Sequence, residues 1–161
     1  MKPFRTAVVW IAGLAGCGPP DTAKPPRSST AEGSPAIAFH TPYGPPKYPF
    51  SPAVQVGDLL FLAGQIGTDS TGKLVAGGIK AEARQTMENI GDVLQRVGSS
   101  WDKVVKCTVM MADMAEWPAM NEIYASYFPR QFPARSAFGT NGLALGARVE
   151  IECVAVVVVS R

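Results

Sequence analysis

The sequence predicts an α+β domain in which two helices cover one face of a β-sheet. Its 161 residues suffice for one well-buried domain but not for two. An apolar content of 47% with only 17% charged residues is that of a globular protein. Two segments repeat apolar residues every three or four positions, as amphipathic helices do, and short apolar runs between turn residues predict the strands.

The first predicted elements are a β-hairpin and a helix. Apolar segments 54–56 and 59–63 flank Gly57-Asp58, which suits a tight two-residue turn with glycine first. The helix is predicted over 80–97, because apolar residues recur there at helical spacing before a glycine that can cap the C-terminus.

The remaining elements complete the order ββ-α-β-α-β-β. A strand is predicted over 104–111, and Trp117-Pro118 opens a second helix, since proline is tolerated in the first turn. Segments 135–138 and 147–159 are predicted as a short strand and the closing strand. The closing strand ends wholly apolar, which predicts burial on both faces, and a partner subunit is one way to supply the second cover.

The N-terminus has the pattern of an exported lipoprotein. Lys2 and Arg5 precede an apolar core that is too short to span a bilayer and ends in Leu-Ala-Gly-Cys at 14–17. This ending resembles the lipobox of bacterial lipoproteins. We therefore predict a signal peptide over 1–16, lipidation of Cys17, and export to a membrane-anchored position in the periplasm or on the outer surface. The alternative is an unprocessed apolar N-terminal helix.

A tether is predicted to follow over 17–47. Its proline, serine and threonine content cannot bury enough apolar area to offset the entropy of ordering. The single histidine, His40, falls in this segment and is expected to be solvated. The folded domain is predicted over 48–161, beginning near Tyr48.

Charge and cysteine content narrow the function classes. Without Lys2 and Arg5, the chain has 13 basic and 13 acidic side chains, so its net charge is zero. A nucleic-acid partner is therefore not expected. Cys107 and Cys153 lie in strand-like runs without a histidine or aspartate at catalytic or metal-binding spacing. Free buried thiols are expected, and a disulfide between them is the alternative in an exported protein.

Two charged residues stand in apolar surroundings near the C-terminus. Arg135 follows Pro133-Ala134, and Glu150 interrupts the closing strand. Desolvating either charge is costly unless a partner or a ligand compensates it. An arginine fork and a carboxylate in an apolar cleft suit a small carboxylate substrate and a water to be activated. The alternative is a structural ion pair between Arg135 and Glu150 or Glu152.

Six segments that span the domain in order carry a recognisable pattern: 49–66, 85–90, 105–109, 120–124, 133–136 and 149–152. The first contains the predicted hairpin, and the last two read Pro-Ala-Arg-Ser and Val-Glu-Ile-Glu. Together they resemble the opening, middle and closing motifs of the Rid (reactive intermediate deaminase, YjgF-like) family.

The resemblance implies a chorismate-mutase-like fold, a homotrimer with clefts between subunits, and hydrolysis of 2-imino acids or their enamines to 2-keto acids and ammonia. It implies that Arg135 binds the substrate carboxylate, that Glu150 activates water, and that the Gly64 N–H helps to hold the substrate. Asn121 and Tyr124 match polar positions around the cleft. No metal or organic cofactor is implied, because an imine is already electrophilic.

Two departures from the family pattern concern substrate contacts. Phe50 stands where the active branch usually has tyrosine, and Ala137 stands where a small polar or thiol residue is common. Both positions would border the cleft with fewer polar contacts. A non-catalytic small-molecule-binding lipoprotein is therefore the second hypothesis, and a surface adaptor built on the trimer is the third.

Overall fold

A computed structural model of the protein describes residues 35–157. Within this range, four strands precede the first α-helix, one strand lies between the two helices, and two strands follow the second. Three short 3-10 turns lie at Trp101–Lys103, Met114–Glu116 and Ala144–Gly146. The strands and helices are β1 Ile37–His40, β2 Ala53–Val56, β3 Leu59–Leu62, β4 Gln65–Ile66, α1 Gly78–Arg96, β5 Val104–Met111, α2 Trp117–Ser126, β6 Ala134–Gly139 and β7 Val149–Val156.

The strands form one mixed sheet in the order β1-β2-β3-β7-β5-β6, and β4 pairs with β7 beside β3. Strands β5 and β6 are parallel and are joined through α2, whereas the other pairs are antiparallel. β7 therefore lies inside the sheet, between β3 and β5.

The hydrophobic core lies between the sheet and the two helices. Along β7, residues alternate between the two faces, and Val149, Ile151 and Ala155 are fully buried on the helix side. Helix α1 turns Met87 and Ile90 into the same core. The predicted packing of both helices on one face is confirmed.

The opposite side of the sheet, here called the open face, carries exposed apolar side chains. Ile37 and Phe39 of β1 are 61% and 70% exposed, and Leu59 and Phe61 of β3 are exposed beside them in register. Burial of apolar area of this kind is what drives association of protein surfaces. The open face is thus the side of the sheet on which a second cover would fit.

The sequence located most elements but missed the first strand. The predicted strand 104–111 is confirmed, and the first helix begins at Gly78, slightly before the predicted 80. The expected start of the fold near Tyr48 is too late, because β1 begins at Ile37 and pairs with β2. His40 belongs to β1, and its Nε2 lies 3.0 Å from Gln55 Oε1 instead of facing only solvent.

Cys107 and Cys153 form a disulfide, which corrects the expectation of free thiols. The two residues are direct neighbours across β5 and β7, with Cα atoms 4.1 Å apart. Both are buried on the helix side. The alternative held open by the sequence is therefore the one observed, and it links the neighbouring strands β5 and β7 covalently.

The predicted signal peptide and the lipidation site Cys17 lie outside the described residues. Between residues 35 and 157, no helix has the length and apolar character needed to cross a membrane.

Candidate active site

Arg135 is held between two aromatic rings of α2. Its Cζ lies 4.5 Å from the ring centroid of Tyr124 and 4.9 Å from that of Trp117. The register of the strands explains this position. Arg135 on β6 pairs with Cys107 on β5, and paired residues on neighbouring strands project to the same face of the sheet. Because Cys107 faces the core, Arg135 also projects to the helix side. Both rings stand within the distance at which a cation is attracted to an aromatic face.

The guanidinium of Arg135 has no acidic partner in the described part of the chain. The ion pairs found between residues 35 and 157 involve Lys80, Arg96 and Arg148. The structural alternative, an ion pair of Arg135 with Glu150 or Glu152, is wrong within one chain. The planar fork of N–H donors is therefore free for a carboxylate ligand.

A surface groove of about 660 Å³ opens beside Arg135. Asn121 and Tyr124, two predicted substrate-binding residues, line this groove together with Arg135. Trp117 and Phe132 also line it and were missed. The only sequence signal for Trp117 is its spacing of seven residues from Tyr124, which places both on one helix face.

Tyr124 is buried, with 3% of its surface exposed, and its hydroxyl finds no hydrogen-bond partner among the described residues. Burial raises the pKa of Tyr124 to about 12, and the positive charge of Arg135 opposes this only in part. The phenol therefore stays protonated at neutral pH, and its ring contributes packing and a cation–π contact rather than charge.

Glu150 lies on the open face, half-buried in β7. Burial, and secondarily the negative charge of Glu152, raise the pKa of Glu150 above its ordinary value. A carboxylate with a raised pKa is a stronger base, which suits a group that accepts a proton from water near neutral pH.

Gly64 adjoins the carboxylate of Glu150. A Cβ built on Gly64 would overlap Oε1 of Glu150 and lie 3.0 Å from its Cδ. Only glycine leaves room for this carboxylate, and its backbone stays accessible next to Glu150. Gly64 therefore adjoins the Glu150 side chain, and the role of its N–H in holding the substrate stays a prediction.

Phe50 lies in the loop before β2. It is 55% exposed and stacks on Tyr48, with ring centroids 5.7 Å apart and nearly parallel planes. The loop is fixed to the end of β3 by a hydrogen bond from Ala63 N–H to the Pro52 carbonyl, 3.0 Å long. This places the loop at the Gly64 end of the sheet.

Ala137 lies two residues after Arg135 on β6, in register with Val109. It therefore shares the helix-side face with Arg135, and it packs against the core. Because Ala137 is small and apolar, Arg135 is the polar residue on the helix-side face of β6.

Arg135 and Glu150 lie on opposite faces of the sheet. Arg135 pairs with Cys107 on β5, whereas Glu150 pairs with Met110, three residues further along the same strand. Because side chains alternate along a strand, positions three apart point to opposite faces. Strand β5 also separates β6, which carries Arg135, from β7, which carries Glu150. One chain alone does not bring the two charges into one cleft.

A family model described as Endoribonuclease L-PSP matches residues 43–157. The mouse protein named 2-iminobutanoate/2-iminopropanoate deaminase is 46% identical over 109 residues, covering 67% of this chain and 81% of the mouse protein. This chain belongs to the Rid/YjgF-like family.

Solved Rid-family structures share the fold. A Rid-family protein of Yersinia pestis, YyfA, gives a TM-score of 0.71 at 37% identity, covering 76% of this chain and 100% of that protein. The Escherichia coli protein TdcF, solved with bound serine, gives 0.67 at 28% identity, covering 73% and 96%. The predicted α+β chorismate-mutase-like fold is confirmed.

Proposed function

We propose that this Rid-family protein hydrolyses reactive 2-imino acids, or their enamine tautomers, to 2-keto acids and ammonia. Its mouse relative carries the name of that activity. Two observations support the proposal: an unpartnered guanidinium in an aromatic groove on one face of the sheet, and a half-buried carboxylate of raised pKa on the other. These are the two groups that the reaction requires.

Each group has one task. Arg135 binds the substrate carboxylate through its N–H fork. Glu150 takes a proton from water, whose oxygen bonds to the imine carbon. Glu150 returns this proton to the imine nitrogen, which gives a carbinolamine. The carbinolamine hydroxyl then passes its proton through Glu150 to the nitrogen as the carbon–nitrogen bond breaks and the carbonyl forms, so that water is consumed and ammonia released. The backbone N–H of Gly64 holds the substrate beside Glu150.

Because Arg135 and Glu150 lie on opposite faces of the sheet, the proposed site needs more than one protomer. A shared site requires the Arg135 side of one protomer to meet the Glu150 side of another. A homotrimer with three equivalent sites between protomers satisfies this, because a heterologous contact brings two different surfaces of the same chain together. The exposed apolar residues of the open face, such as Phe39 and Phe61, supply area for such contacts.

The second candidate function is small-molecule binding without turnover. Phe50 favours it, because phenylalanine at this position of the cleft has no hydroxyl to contact substrate or water. In that case 2-keto acids bind at Arg135 and imines are not hydrolysed faster than in buffer.

An imine hydrolysis assay distinguishes the two functions. Freshly generated 2-iminopropanoate is mixed with the protein, and ammonia and keto acid are measured. We expect Arg135→Ala and Glu150→Gln to abolish turnover. Arg130→Ala and Glu152→Gln, matched changes at exposed positions, are expected to retain it at neutral pH. Wild-type turnover at the buffer rate, or full turnover by Arg135→Ala, would reject the deaminase mechanism.

We further propose that the protein is exported and anchored through lipidated Cys17. Besides the N-terminal pattern, the buried Cys107–Cys153 disulfide supports an oxidising compartment, where such bonds persist. Membrane fractionation tests this. Wild-type protein is expected in the membrane fraction, and Cys17→Ala in the soluble fraction. Equal distribution of both would reject the anchor.

A further inference from the structure

We propose that Trp117 and Tyr124 are positioning residues that hold Arg135 ready for the substrate carboxylate. This inference rests on the proposed role of Arg135 as the carboxylate anchor. Neither ring is assigned to touch the reacting atoms. Their task is to fix the orientation of the guanidinium before substrate arrives.

The helix supplies the two rings as one unit. Trp117 and Tyr124 are seven residues apart, two turns of α2, and therefore lie on the same helix face. Between them, Met120 and Ile123 are buried in the core and fix α2 against the sheet. The position of both rings is thus set by the fold and not by the ligand.

The rings and the ligand use different parts of the guanidinium. The N–H donors of a guanidinium lie in its plane, whereas aromatic rings attract the cation without accepting ordinary hydrogen bonds from all five donors. Two ring centroids lie within 5 Å of Cζ, and no carboxylate of the described residues lies within ion-pair distance of Arg135. The rings therefore restrain the Arg135 side chain, and its N–H donors remain available for a ligand.

This arrangement has an energetic consequence for binding. A long arginine side chain on an edge strand ordinarily loses rotamer freedom when it binds a carboxylate. Stacking restrains these rotamers in advance, so less freedom is lost on binding. Because the carboxylate is bound in both the ground state and the transition state, loss of a ring should raise KM more than it lowers kcat.

The buried hydroxyl of Tyr124 fits a positioning role and not a catalytic one. It is inaccessible and has no hydrogen-bond partner among residues 35–157, and the pKa of Tyr124 is raised by burial. The ring is what contacts Arg135. Trp117 is only half-buried and borders the groove directly, so it is the residue to test.

The test uses full-length protein and 2-oxobutanoate, a stable keto acid, as the probe. Binding is measured by calorimetry for wild type, Trp117→Leu, Trp117→Phe, Arg135→Ala and the double variant Trp117→Leu with Arg135→Ala. We expect Trp117→Leu to weaken binding about tenfold and Trp117→Phe to restore it to within about threefold, since the aromatic face returns. In the Arg135→Ala background, Trp117→Leu should cause no further loss.

A spectroscopic readout separates positioning from general destabilisation. Ring currents of the two aromatics should shift the Nε–H NMR signal of Arg135, and Trp117→Leu should move that signal toward the value of a free arginine. Unchanged affinity in Trp117→Leu, or an equal loss in the Arg135→Ala background, would overturn the inference. So would an Arg135 signal that does not move.

The outcome is distinguishable from that of the proposed function. If wild type binds 2-oxobutanoate, Trp117→Leu weakens that binding, and no imine is hydrolysed, the inference stands and the deaminase proposal fails. If imines are hydrolysed and Trp117→Leu changes neither KM nor the Arg135 signal, the deaminase proposal stands and the inference fails.

Discussion

Reducing the Cys107–Cys153 disulfide should lower the free energy of unfolding substantially. The bond closes a loop with a sequence separation of 46 residues between β5 and β7. In the chain-entropy account, a loop of this length restricts the unfolded state by about 4 kcal/mol at 25 °C. Strain and residual structure in the unfolded chain make this an upper value, and a loss of about 2 to 4 kcal/mol is expected.

Urea unfolding at one fixed protein concentration measures this, because assembly makes stability concentration-dependent. With a slope of about 2 kcal/mol per molar urea, the midpoint of the reduced protein should fall by about 1 to 2 M. Thiol titration of the unfolded protein before and after reduction confirms the redox state. Coincident unfolding curves for fully oxidised and fully reduced protein would refute the loop-closure reasoning.

Three further predictions concern the candidate active site. Gly64→Ala should lower kcat about tenfold or more with little change in the unfolding midpoint, because the added Cβ displaces the Glu150 carboxylate. An unchanged kcat would contradict a role for the position of this carboxylate. The raised pKa of Glu150 keeps it protonated to higher pH than an ordinary carboxyl group, so kcat/KM should rise with pH above about 4.5. Glu152→Gln removes the negative charge that contributes to the raised pKa, so it should move this rise to lower pH. Coincident pH profiles of the two proteins would argue against Glu150 as the base. Phe50→Tyr should raise imine turnover a few-fold in a steady-state assay, because it adds a hydroxyl at the cleft. A lower rate would mean that the phenylalanine ring itself contributes to substrate binding.

Strong local patterns made most of the fold predictable. Strand β5 was located because it is a mostly apolar run, and α1 because apolar residues recur along it at helical spacing. β1 was missed because its four residues stand among prolines and gain strand character only by pairing with β2. No local signal reports pairing with a segment further along the chain.

The sequence named candidate site residues, whose roles stay predictions, but it did not predict their arrangement. The family resemblance implied roles for Arg135 and Glu150, yet their opposite faces depend on the register of β5 against both neighbours. The same register sets Cys107 beside Cys153, which the sequence could only offer as an alternative. The contact of Trp117 with Arg135 depends on how α2 packs over the sheet, which no spacing rule specifies.

The central claim is that Arg135 of one protomer and Glu150 of another act on the same substrate. Arg135→Ala and Glu150→Gln subunits, each inactive alone, can be unfolded together in equal amounts, refolded as mixed assemblies and assayed for imine hydrolysis. Random mixing should place an intact Arg135 opposite an intact Glu150 in about one quarter of the sites, restoring about a quarter of wild-type activity. Mixed assemblies that form but stay as inactive as either parent would contradict a site shared between protomers.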